Sequence, residues 1–159
     1  MTGNTLKPVD HAALKVNQIT IILLNLFAFI LNAPWLAAAV AGFMLLGTVV
    51  GLPGFVVIYR YFIKKYGIVK PEIILDNPEP HRFAQGFGGV VMLAGSIALF
   101  AGSTLLGWGL VWLVIALAAL NAFGGFCAGC FVYYWLGRLH VPGFVKAPPA
   151  GTFPGLKPR

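Results

Sequence analysis

Two long stretches of this chain carry no charged side chain. Val16 to Tyr59 runs for 44 residues and Phe83 to Gly137 for 55 without an Asp, Glu, Lys or Arg. The hydrocarbon core of a bilayer is about 30 Å thick and takes roughly 20 apolar residues per helical crossing. Each stretch is therefore too long for one span and has the length of two spans joined by a tight turn. Composition agrees, since 59% of the 159 residues are hydrophobic and 9% charged, against about 25% charged in soluble domains. The fold class that follows is an all-α integral membrane protein with four transmembrane helices arranged as two helical hairpins.

The spans are expected at about 11–32, 35–61, 83–105 and 108–137, within a transmembrane domain covering 1–140; a Pro/Gly-rich tail occupies 141–159. Asp10 stands where an N-cap would, so the first helix begins at His11. Pro34 is placed to open the second helix at its first turn, and Trp35 suits the membrane interface. Gly47, Gly51, Pro53 and Gly54 predict a kink or a close helix contact near Leu52. Between Arg60 and Arg82 lies the main polar loop, with five basic residues, three acidic residues and three prolines. It should be exposed to water and contain no long helix.

All eleven Lys and Arg fall in the N-terminal segment, this loop and the C-terminal segment, and neither intervening turn carries a charge. Four crossings put those three segments on one side, which the positive-inside bias makes the cytoplasm, with both termini there. The same placement accounts for the net charge of +7 and weighs against a nucleic-acid-binding patch. A cleaved signal peptide is the rival reading of the first span, but its removal would leave an odd number of crossings and split the basic segments across the membrane. No Asp or Glu lies within a span, and Lys15 and Arg60 fall only in the end turns of theirs, which argues against a transporter built on buried carboxylates. No residue-level repeat supports an internal duplication.

Cys127-Ala128-Gly129-Cys130 is the one motif with a mechanism attached. At i and i+3 on a helix the two side chains share a face, near enough for a disulfide or a shared metal. The plain alternative is packing, since Cys is a common small filler of buried helices. With no third Cys, a cysteine-only zinc site cannot form within one chain, and Phe131 rather than His after Cys130 excludes the usual covalent haem attachment. The pair precedes the interfacial run Tyr133-Tyr134-Trp135 and then Arg138, which places it near the cytoplasmic boundary. Gly124-Gly125 can break the helix. A restarted helix would set Cys127 at its first turn, where the dipole favours a thiolate, whereas a continuous helix would set the pair near a C-terminal end and make the thiols sluggish. His11, His81 and His140 belong to the same side as the cysteines. His81, Arg82, Arg138 and His140 are the candidate thiol partners, with interfacial anchoring as the plainer role. Asn25 and Asn121 are expected to hydrogen-bond between helices.

The stretches VDHAALKVNQ at 9–18, PEPHRFAQGFG at 78–88 and NAFGGFCAGCFVYYWLGRL at 121–139 resemble the bacterial membrane family known as domain of unknown function 4395. The resemblance covers about residues 9–139. It implies a four-helix protein of the bacterial inner membrane with a GFCxGC-type motif at the end of the fourth helix, matched here by Gly125, Phe126, Cys127, Gly129 and Cys130. It also implies association with thioredoxin-like or sulfur-transfer proteins.

The leading functional expectation is a thiol-disulfide or sulfur relay at the cytoplasmic face. Cys127, as the more exposed thiol, exchanges with a thioredoxin-like or sulfurtransferase partner, and Cys130 resolves the mixed disulfide. The alternative is a non-catalytic scaffold or small permease component with structural cysteines. A third possibility is a metal held by Cys127 and Cys130 with His140 or His81. No quinone or flavin motif is visible, no cofactor is expected, and no metal is assigned to the site.

Overall fold

The computed structural model of the chain describes residues 6–67 and 69–158. Its elements run in the order β1 (Lys7–Asp10), α1 (His11–Ile30), α2 (Pro34–Val50), a single helical turn α3 (Val56–Ile58) continued by a π-helical turn (Tyr59–Ile63), β2 (Ile73–Asp76), α4 (Pro78–Phe100), α5 (Thr104–Gly124) and α6 (Ala128–Arg138). Three of these helices, α1, α4 and α5, are long and apolar enough to cross a membrane. The fourth apolar helix, α2, has 17 residues, about 25 Å at 1.5 Å per residue.

Local chemistry explains where each helix starts. Asp10 caps α1 by accepting from the amides of Ala12 and Ala13 at 3.1 and 3.4 Å, and the helix begins at His11 as expected. Pro34 opens α2. Pro78 opens α4, with Glu79 in the favourable first turn, and this sets the start of that helix five residues ahead of the expected 83.

Where the helices stop differs more from expectation. The second span, expected over 35–61, ends as a helix at Val50. Gly51 turns left-handed at φ 79°, and Pro53, which has no N–H to donate, follows. The kink expected near Leu52 is thus a full stop. The fourth span, expected over 108–137, is also two pieces: α5 begins at Thr104 and ends at Gly124, Gly125 takes φ 65°, and α6 restarts at Ala128. With 11 residues, about 16 Å, α6 is too short to cross a bilayer.

The four apolar helices form a closed ring in which α1 packs on α2, α2 on α4, α4 on α5 and α5 on α1. Ile21, Ala37, Val40, Met44, Met92 and Val111 fill its centre. The outward faces are equally apolar; Phe27, Leu46, Val49, Ile97 and Leu105 all point away from the core, with Leu105 92% exposed. Such an all-round hydrophobic surface would be a liability in water and is what a multi-pass protein presents to lipid.

The backbone freed where α2 stops is satisfied by side chains. Asn17 of α1 accepts from the amide of Phe55 at 2.9 Å. Gln85 of α4 accepts from the amide of Gly54 at 3.2 Å and donates to the carbonyls of Met44 and Leu52 at 3.0 and 3.3 Å. A broken helix is tolerated in an apolar setting when neighbours replace its lost hydrogen bonds in this way. Asn25, expected to bond between helices, instead donates to Ile21 of its own helix at 2.9 Å.

Both hairpin turns lie at one end of the ring. At the other end β1 and β2 pair antiparallel, Lys7 opposite Asp76 and Asp10 opposite Ile73. That short ladder draws the start of α1 to the start of α4, and the end of α5 lies beside them with α6.

Candidate functional site

At this second end a cavity of about 220 Å³ is lined by His11, Asp76, His81, Cys127, Cys130 and Tyr134, among others. The helix restart sets the chemistry. Cys127 is the N-cap of α6, in extended conformation, and its sulfur accepts from the amide of Cys130 at 3.1 Å. The sulfurs are joined as a disulfide, with Cα atoms 5.2 Å apart. Of the two geometries open to the sequence, the restarted helix is the one found. The orphan amides of its first turn stabilise negative charge on Cys127 once the disulfide is reduced.

His81, on the first turn of α4, stands between the sulfurs and a carboxylate. Its Nδ1 lies 3.5 Å from Sγ of Cys130, and its Nε2 lies 2.9 Å from Oδ2 of Asp76. A carboxylate on Nε2 fixes the neutral ring as the tautomer that donates there and leaves Nδ1 as an acceptor facing the sulfur. Asp76 is itself held. The amide of Asn77 donates to its Oδ1 at 2.7 Å, and Nε2 of His11 lies 3.2 Å from its Oδ2, outside the direction of a good hydrogen bond. Burial pushes the Asp76 carboxyl up, but the contacts of His11 and His81 and the Asn77 amide outweigh it and hold the group well below the usual carboxylate range.

Neither cysteine is freely exposed. Cys127 is 5% accessible and Cys130 3%, so the expectation that Cys127 stands out as the more exposed thiol meets a covered pair. The C-terminal tail forms part of the wall around the pair, with Gly155, Leu156 and Lys157 lining the same cavity. The Gly155 carbonyl accepts from the Cys127 amide at 2.7 Å, and the Gly125 carbonyl accepts from the Lys157 amide at 3.0 Å. Phe126 and Leu156 form a bridge, Phe153 stacks on Phe131, and Lys157 pairs with Glu72.

Of the four candidate partners, the structure brings His81 alone to the sulfurs. The Arg82 guanidinium donates to the carbonyls of Thr48 and Val49, capping the C-terminus of α2 where a cation is favoured. Arg138 and His140 lie at the far end of α6 and line a separate cavity with Pro142 and Phe144. Asn121 lines the cavity beside the cysteines. Asp76 and the part played by His11 are what reading the sequence missed. The signal for Asp76 was weak, a single acidic residue five positions ahead of a histidine in a loop with two other acids.

The family described as domain of unknown function (DUF4395) matches residues 9–138. The chain belongs to this family. The DUF4395 match takes in His11, Asp76, His81, Cys127 and Cys130 and stops before the C-terminal tail. No curated protein and no solved structure matches the chain.

Proposed function

We propose that this DUF4395 protein is a thiol-disulfide or sulfur relay of the bacterial inner membrane, crossing the bilayer four times with both termini and the cysteine pair at the cytoplasmic face. The placement of the Lys and Arg among the described residues at the cysteine end of the ring supports that orientation. The observation that carries the chemistry is the contact between Cys130 Sγ and His81 Nδ1, backed by Asp76 on the opposite ring nitrogen.

In the reduced protein Cys127, at the N-cap of α6, is the attacking thiolate. It displaces one sulfur of a partner disulfide to give a mixed disulfide and a partner thiolate. His81 Nδ1 takes the proton of Cys130, whose thiolate then attacks Cys127 Sγ. The internal disulfide forms, the second partner sulfur leaves, and two electrons have passed to the partner. The reverse sequence oxidises a partner dithiol. A thioredoxin-like protein or a sulfurtransferase at the membrane surface suits either direction, and a persulfide on Cys127 is the sulfur-carrying variant. A partner reaches the pair through the cavity that both cysteines line.

The test is a trap. In Cys130→Ser the mixed disulfide on Cys127 cannot be resolved, so a partner thioredoxin should accumulate as a covalent adduct. After reduction, an impermeant maleimide should label Cys127 in inverted vesicles. An adduct-free Cys130→Ser protein, or labelling from the outer side alone, defeats the proposal. The burial of both cysteines favours one second reading, a structural disulfide in a membrane scaffold, for which Cys-to-Ala changes at both positions leave cell phenotype intact.

A further inference from the structure

We propose that the reduced protein binds one zinc ion through Cys127 Sγ, Cys130 Sγ and His81 Nδ1, with the fourth coordination position open to the cavity. It rests on the relay reading in one respect, that the Cys127–Cys130 bond opens. Beyond that it needs only the geometry.

The three ligand atoms lie within 4.8 Å of one another. In a tetrahedral site with Zn–S of about 2.3 Å and Zn–N of about 2.0–2.1 Å, sulfur and nitrogen stand about 3.5 Å apart. Cys130 Sγ and His81 Nδ1 are already at 3.5 Å. The two sulfurs have only to part to about 3.8 Å, which breaking the disulfide permits. Two residues between the cysteines is a recurrent spacing of zinc-binding pairs.

The outer contacts are those a zinc site uses. A ligating histidine almost always donates its other ring N–H to a carboxylate or carbonyl, which fixes the tautomer and strengthens the ligand. Asp76 does this for His81 at 2.9 Å. The Cys130 amide donates to Cys127 Sγ, which steadies its thiolate. His11, Asp76 and His81 form a second cluster with the same reach, but it offers no sulfur and would strip Asp76 from its hold on His81, so the softer dithiolate set is the one assigned to zinc.

Zinc and the disulfide are then mutually exclusive. Binding converts two thiols and one Zn²⁺ into a zinc dithiolate and two protons. Oxidation by a partner disulfide consumes two protons, forms the Cys127–Cys130 bond, gives two partner thiols and releases the ion. The relay would be held reduced and capped by metal until a partner disulfide arrives.

The full chain in detergent, reduced with a phosphine and freed of it, is loaded with zinc chloride or cobalt chloride, and metal and free thiols are counted per chain. One metal per chain is expected in the reduced protein and none in the oxidised. The cobalt form should show thiolate-to-cobalt charge-transfer absorption, a readout that needs no variant. Cys127→Ser, Cys130→Ser and His81→Ala should lose stoichiometric metal. Asp76→Asn should keep it with about 10–100-fold weaker affinity, and His140→Asn should match the unaltered chain. Two free thiols without stoichiometric metal overturn the zinc site and leave the relay standing. Thiols that cannot be freed in the folded protein overturn both, and full retention of metal in the cysteine variants moves the ion to His11, Asp76 and His81 and overturns the assignment.

Discussion

Gly129→Ala puts the contact between α6 and α4 under direct test. Gly129 lies in the first turn of α6 where that helix meets α4. A Cβ there would stand 2.5 Å from the Cβ of Ala84 and 2.7 Å from its Cα. Carbon atoms rest about 3.5–4.0 Å apart, so α6 must retreat by roughly 1 Å. One of the obstructing atoms is backbone, which leaves little room for a side chain to yield instead. Overpacking of this kind costs about 1–3 kcal/mol. Cys130 is the next residue, and its 3.5 Å approach to His81 Nδ1 is carried beyond useful hydrogen-bond range. A positioned base contributes about 10²–10⁴-fold to the proton transfer it serves.

The assay is single turnover of the reduced protein against an aromatic disulfide whose thiolate is coloured. Attack by Cys127 releases the first equivalent and resolution by Cys130 the second. Gly129→Ala should slow the second phase by at least tenfold while lowering the melting temperature in detergent. Gly109→Ala on α5 is the control. Nothing lies within 4 Å of a Cβ at Gly109, so that change should leave both phases alone and stabilise by about 0.5–1 kcal/mol. Unaltered second-phase kinetics and unaltered melting in Gly129→Ala would refute the reasoning, because the helix approach would then not be setting the sulfur's position.

Gln85→Ala should destabilise by about 1–3 kcal/mol, since it orphans the Gly54 amide and takes the donor from the Leu52 carbonyl where α2 stops, while the Met44 carbonyl keeps the Thr48 hydroxyl; melting in detergent reads it. Arg82→Gln should cost about 1 kcal/mol through the lost cap on α2 and leave thiol-exchange rates unchanged. Deleting residues 150–159 takes Gly155, Leu156 and Lys157 from the cavity wall beside Cys127, so maleimide should modify the reduced pair faster. At Asp10, burial raises the carboxyl, but hydrogen bonds from Tyr59 and from the amides of Glu72, Ala13 and Ala12 outweigh it and hold the group below its ordinary value. Its folded pKa being lowered, its contribution is complete above the unfolded value of about 3.9 and fades as pH falls through the folded one. The stability gap between the unaltered chain and Asp10→Asn should therefore hold steady from pH 7 to pH 5 and close only in stronger acid.

The parts of this structure that were legible in the sequence are those in which one residue type answers to one physical demand. Lipid rejects charge, so the uncharged blocks mark the two hairpins. An N-cap needs a side-chain acceptor, so Asp10 marks the start of α1. The stop of α2 at Gly51 was visible as punctuation but not as an ending, because Leu52, Phe55, Val56 and Val57 keep the stretch apolar whether or not its backbone is helical. What keeps that backbone satisfied comes from Asn17 and Gln85, 38 and 31 positions away, and no pattern within the stretch contains it.

The site shows the same division more sharply. Cys127 and Cys130 announce themselves, and Gly124-Gly125 gave reason to expect a restarted helix beneath them. Their partners do not, because the cluster is assembled from three segments, two of them drawn together by the short β1–β2 pairing and the third brought in by α6 packing on α4. His81 and Arg82 are neighbours in sequence and equal candidates on charge, yet one faces Asp76 and Cys130 while the other closes α2. Adjacent positions on a helix point about 100° apart, so only the direction from which α2 and α6 approach α4 decides which of the two meets sulfur.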